Sequence, residues 1–279
     1  MRAGRPSRTA EYMALFRALE STRPAGQRAF SDPLAAGFLT PPLRAAVALA
    51  GLPLLGELVP RVVDCRWPGP RASAIVRTRI IDDALGQALH DGARQVVVLG
   101  AGYDTRAYRT DGIDATRVFE VDHPSTQASK RARLEHLIGP VPPYVSFVGI
   151  DFDKDKLGAA LLRAGYAQTE ATFFIWEGVT NSLTAEAVDT TLRWVAEHSG
   201  PGSAICFTYI HRGLLDGSAS FPGSEPWVAA VRSAGEPFTF GCDPAELADY
   251  LAERGLRLIS DVSTLPGGFY RVALARTAA

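Results

Sequence analysis

The chain has 279 residues, of which 47% are hydrophobic and 21% charged, with a formal net charge of −1. That size suits one large domain, or a domain with a sizeable appendage, that can bury a real core. The balanced charge, with arginines scattered among acids, gives no electrostatic footing for nucleic acid or an anionic membrane.

Cys65, Cys206 and Cys242 lie far apart without metal-ligand spacing, which fits a reducing, cytoplasmic compartment better than a disulfide framework. The basic start runs into an amphipathic stretch at 12–19 rather than an apolar signal core, so no targeting segment is expected. The greasiest stretch, 45–55, contains glycine and proline and is too short to span a bilayer.

In chain order, helical pieces broken by proline are predicted at 11–20, 32–39 and 43–50. Asp32-Pro33 marks a start, with the acid as cap and proline at the first helical position. These pieces make a helical cap over 1–70. From 71 onward the period changes. A long helix is expected over 73–90, with Ile75, Ile80, Ile81, Ala84 and Leu85 on its apolar side.

Strands are expected at 95–99, 117–121, 145–150, 172–176, 204–209, 256–260 and 270–275, and helices at 124–137, 154–164, 185–198 and 244–254. Such alternation builds an α/β fold, a mainly parallel sheet covered on both faces. The last two strands are separated only by a loop with Pro266-Gly267-Gly268 and must pair as a hairpin, so one strand runs antiparallel.

The first strand runs into a glycine turn, VVVLGAGYDTR at 96–106, and Asp122 ends the next apolar run. Gly100 and Gly102 allow a sharp turn and close approach to a ligand. An acid about twenty residues on can accept both hydroxyls of a ribose. The dinucleotide fingerprint needs a third glycine where this chain has Thr105, preceded by Asp104. A carboxylate there repels phosphate but can pair with the amino group of a methionyl tail, which favours S-adenosylmethionine over NAD. Asp104 can equally cap the short helix that follows.

In combination, these residues resemble the leucine carboxyl methyltransferase family, in particular the bacterial branch that includes tetracenomycin-type carboxyl O-methyltransferases. The matching pieces are Glu20-Ser21, Arg28–Pro33, Arg77–Asp82, the turn at 99–106, Glu120–Pro124, Asp151-Phe152 and Trp176–Asn181. The resemblance implies a class I methyltransferase (Rossmann-like) fold with a seven-stranded, mostly parallel sheet and terminal β-hairpin. It implies that Arg77, with Arg79 as alternative, grips the methionyl carboxylate, and that Gly100 lies at the turn. Asp122 would then hold the ribose, Asp151 would receive the adenine amino group with Phe152 covering the ring, and Glu177 would contact the methionine part. Where the family carries a tyrosine, this chain has Ser182, which leaves a larger or more polar acceptor space.

A methyltransferase domain over 71–279 therefore follows the cap, with a lid insertion at about 211–241 that carries Phe221, Trp227, Phe238 and Phe240. The expected partner is a small-molecule acceptor, with no nucleic acid and no membrane. The expected activity is O-methylation, placed first on the carboxylate of a metabolite such as a polyketide acid. A carboxylate is ionised at neutral pH and needs no general base. A phenol or alcohol acceptor would want one, and His211 is the candidate. A protein C-terminal carboxylate, NAD-dependent oxidoreduction and cofactor binding without transfer remain as alternatives.

Overall fold

In the computed structural model, which describes residues 8–52, 55–150 and 156–277, the apolar runs become β1 (Gln95–Leu99), β2 (Arg117–Asp122), β3 (Val145–Gly149), β4 (Thr172–Trp176), β5 (Ala204–Ile210), β6 (Leu256–Ser263) and β7 (Tyr270–Thr277). They form a seven-stranded sheet of order β3-β2-β1-β4-β5-β7-β6. The pairs among β1 to β5 are parallel, and β7 is antiparallel to both β5 and β6. The expected terminal hairpin is therefore present. Its strands run further than their apolar cores suggest, because Ser263 still pairs with Arg271.

Successive strand side chains point to opposite faces, and both faces here are buried. Val97, Leu99, Phe174, Trp176, Ile205 and Phe207 pack on one side with Leu161 of α7 (Leu157–Arg163), with Val188, Leu192 and Val195 of α8 (Ala185–Glu197) and with Leu247 and Leu251 of α11 (Leu247–Ala252). Val96, Val98, Phe173, Ile175 and Cys206 pack on the other side with Ile81 and Leu85 of α4 (Pro70–His90). Double burial explains why the strands read as continuous apolar runs rather than alternating ones. The three cysteines are unpaired.

The N-terminal segment folds as α1 (Arg8–Ser21), α2 (Pro41–Ala50) and α3 (Leu58–Arg66). Over 32–39, where a helix is expected, only one 3-10 turn forms, at Ala35–Phe38. The cap itself is made, with Asp32 Oδ1 accepting the N–H groups of Leu34 at 3.2 Å and Ala35 at 3.0 Å. These elements share a core with the sheet domain, where Phe38 stacks on Tyr103 with ring centroids 5.0 Å apart. The stretch 211–241 contains the short α9 (Gly213–Asp216) and a helix that its Gly/Ser/Pro composition conceals, α10 (Ser224–Ser233). Among the described residues no helix is long and apolar enough to cross a membrane.

Candidate functional site

The sheet order reverses at β1, which lies between β2 and β4. In open α/β sheets a ligand crevice forms at the carboxyl ends of the strands at such a switch point. The residues singled out in the sequence converge there, with the glycine turn after β1, Asp122 ending β2 and Glu177 directly after β4.

Gly100 has φ +70°, and a Cβ there would come within 2.3 Å of Val179 Cγ2, so only glycine fits. Gly102, at φ +40°, lies beneath α1, and a Cβ on it would be 3.5 Å from that of Ala10. The Asp122 carboxylate accepts the N–H of Gly102 at 2.5 Å and of His123 at 2.6 Å. Burial raises its pKa above the ordinary aspartate value, which those two amides only partly counter. Each oxygen keeps a lone pair for a ligand hydroxyl.

Four acids and four arginines interlock around the turn. Arg77 is buried, and its Nε donates to Glu177 Oε1 at 2.7 Å, while its Cζ lies 5.2 Å from the Tyr270 ring centroid. Arg79 points outward to Asp83, so Arg77 is the inward-facing residue of the two. Arg106, in the short α5 (Arg106–Arg109), donates from Nε to Asp82 Oδ1 at 2.7 Å. Its Nη1 reaches Asp104 Oδ2 at 2.5 Å and Glu177 Oε2 at 2.8 Å. Arg109 holds both oxygens of Asp82. Arg17 of α1 pairs with Asp32 at 2.8 Å and donates to Tyr103 O at 2.5 Å, which fastens α1 over the turn.

Asp104 is thus not a bare acid. Burial alone would raise its pKa, but Arg106, Lys130 and Arg17 hold it well below the ordinary range. Glu177 follows the same pattern, with burial outweighed by Arg106 and Arg77. The N-cap position of α5 is Thr105 rather than Asp104, but Asp104 Oδ1, one residue earlier, still accepts the first helical N–H, that of Arg106, at 2.7 Å. Thr105, where a dinucleotide turn has glycine, donates to Asp32 Oδ2 at 2.6 Å. That position serves to tie the N-terminal segment down.

A second cluster of polar and aromatic groups lies toward β5 and β7. The Tyr270 hydroxyl donates to Asn181 Oδ1 at 3.3 Å, and its ring stacks on Trp227 of α10 at 5.5 Å. Ser182 is exposed, so the buried polar group beside Asn181 comes from Tyr270 on the terminal hairpin. His211 Nδ1 accepts the Gly213 N–H at 3.0 Å. His123 is spent as the N-cap of α6 (Pro124–Ile138), its ring accepting from the Ser125 N–H at 3.2 Å. Asp151 and Phe152 lie outside the described residues.

Asp82 and Arg106 lie inside the sequence motifs without a role implied for them, and Arg17 and Arg109 lie outside those motifs. The signal for one pair was present. Arg106 and Arg109 are three apart, which puts both on one side of a helical turn. Their common target, Asp82, is not visible locally.

The sequence profile of the leucine carboxyl methyltransferase family matches residues 10–196. An inferred S-adenosyl-L-methionine-dependent methyltransferase of Frankia alni is 35% identical over 227 residues, covering 80% of this chain and 77% of its own. A protein of the same description from Streptomyces coelicolor is 33% identical over 267 residues, covering 92% and 89%. Among solved structures, an inferred methyltransferase from Thermobifida fusca superposes with a TM-score of 0.63 at 17% identity, covering 100% of this chain and 97% of its own, a likeness of fold. The chain belongs to the leucine carboxyl methyltransferase family.

Proposed function

We propose that this member of the leucine carboxyl methyltransferase family, an S-adenosylmethionine-dependent methyltransferase, forms a methyl ester on the carboxylate of a small-molecule acid. The cofactor side is supported by the convergence at the switch point. Gly100 and Gly102 allow close approach, and Asp122 offers free lone pairs to a ribose. Arg77, Asp104 and Glu177 present both signs of charge to a zwitterionic amino-acid tail. Asp151 and Phe152 are assigned to the adenine by family resemblance. The N-terminal helices α1 to α3 act as a cap over this side and 211–241 as a lid over the acceptor.

The observation that carries the carboxylate reading is the state of His211. Its Nδ1 lone pair is taken by the Gly213 N–H, so the neutral ring carries its proton on Nε2 and offers no free base. A carboxylate acceptor needs none. The bound cofactor supplies an electrophilic methyl on a sulfonium. A carboxylate oxygen that took this methyl would give a neutral ester with a neutral thioether as leaving group, so the protein would have no proton to remove. The protein's part is alignment and exclusion of water, and orientation can lower a barrier by about 7–11 kcal/mol in favourable systems. The α1 helix over the turn and the Trp227–Tyr270 stack provide the covering surfaces.

Incubation with methyl-labelled S-adenosylmethionine and a panel of aromatic and polyketide-type acids tests this. Label in a base-labile ester supports it. Label only in an alkali-stable ether overturns the carboxylate assignment and points to a hydroxyl acceptor.

A further inference from the structure

We infer that Arg106 anchors the amino-acid end of the cofactor, offering its Nη2 to the carboxylate while positioning Asp104 and Glu177 for the ammonium. The inference rests on the cofactor reading above and assigns a residue that resemblance leaves without a role.

A guanidinium has five N–H donors in one plane. In Arg106 the Nε donor goes to Asp82, and Nη1 serves both Asp104 and Glu177. The Nη2 atom is buried and has no partner among the described residues. The side chain is only 3% exposed, so water does not readily take that place. A buried charged donor left unsatisfied is unfavourable and calls for a partner.

Arg77, the residue the resemblance points to, differs in this respect. Its Nε is bonded to Glu177, its Nη2 contacts the Met13 sulfur, and its face lies against the Tyr270 ring. Of the two guanidinium groups, only Arg106 has a nitrogen, Nη2, that is fully buried without a partner among the described residues.

The acids around it complete the match. Asp104 and Glu177 each keep a partly open carboxylate, 13% and 16% exposed, and both meet on one nitrogen of Arg106. Their oxygens are therefore close together and retain lone pairs. Two carboxylates beside an unused guanidinium edge fit a zwitterion, with ammonium against the acids and carboxylate against Nη2. Asp82, pinned by Arg109, fixes the guanidinium from behind.

The test is calorimetry on the full chain with three ligands: S-adenosylhomocysteine, its decarboxylated analogue that keeps the amine, and 5′-methylthioadenosine, which lacks the amino-acid end. Arg106→Gln is expected to weaken S-adenosylhomocysteine about tenfold or more, as for a lost charge-assisted pair, and to leave 5′-methylthioadenosine within about twofold. Removing the ligand carboxylate and the guanidinium together should cost less than the two losses added. Arg106→Lys, which keeps the charge but not the fork, should fall between. Equal weakening of all three ligands, or strictly additive losses, overturns the inference and makes Arg106 structural. Failure of the wild type to bind S-adenosylhomocysteine, with the fold intact by circular dichroism, overturns the cofactor reading itself.

Discussion

Asp122 holds the N–H of Gly102 at 2.5 Å, a bond from the end of one strand to the turn after its neighbour. The acid assigned to the ribose thus also clamps the loop on which the cofactor would lie. Binding and local stability are coupled at this side chain. Asp122→Ala should lower S-adenosylhomocysteine affinity at least about tenfold by removing charge-assisted hydrogen bonds. It should also destabilise the free protein by about 1–3 kcal/mol, because two backbone donors lose their acceptor. Calorimetry and urea denaturation measure the two losses separately, and unchanged affinity would place the ribose elsewhere.

NAD should bind far more weakly than S-adenosylmethionine. The third glycine position is Thr105, which is buried and bonded to Asp32, so the turn cannot give a pyrophosphate the close approach it needs. Competition of NAD against S-adenosylhomocysteine in calorimetry checks this, and equal affinity would reject it.

With a carboxylate acceptor, initial rate at saturating cofactor should plateau from about pH 6 upward, since the nucleophile is already ionised there. His211→Ala should leave that profile intact, whatever it does to acceptor affinity. A rising limb near neutrality that disappears in the variant would identify a base and replace the carboxylate assignment.

Asp104 contributes to acid sensitivity with a definite sign. Arg106 and its neighbours hold its folded pKa below the ordinary value despite burial. Its stabilisation is therefore complete above the unfolded pKa and is lost as pH falls through the folded one. Asp104→Asn should make the stability curve shallower below about pH 4, by up to about one proton of slope. Urea midpoints taken between neutral and acid pH read this out, and parallel curves would contradict it.

Beneath the turn, Lys130 Nζ lies 2.7 Å from Glu120 Oε2, both side chains 1% exposed. Lys130→Met would leave a buried carboxylate uncompensated and should cost about 3–5 kcal/mol. The double variant Glu120→Gln with Lys130→Met should recover most of it. A small loss in the single variant by urea denaturation would show that water reaches the pair.

The strands, the glycine turn, the terminal hairpin and the place of Asp122 were legible in the sequence because each depends on neighbours within a few residues. An apolar run buried on both faces, a position at positive φ and a loop too short for a helix are all local constraints. The α10 helix was not legible, since Gly223 before it and Pro226 inside its first turn resemble loop punctuation, while packing of Trp227 on Tyr270 holds it in place. The helix expected from Asp32 shrank to one turn for a related reason. Its cap forms, but the same carboxylate also serves Arg17 and Thr105.

The partners of the charges were decided by tertiary structure alone. Arg77 and Glu177 are 100 residues apart, and Arg106 and Glu177 are 71 apart. The sequence shows that these groups carry charge, and composition shows that the charges balance. Only the strand order that brings the ends of β1, β2 and β4 together gives each one its partner. Coulomb attraction depends on distance in space, and burial strengthens it, so a motif can supply the arginine while the fold decides what that arginine holds.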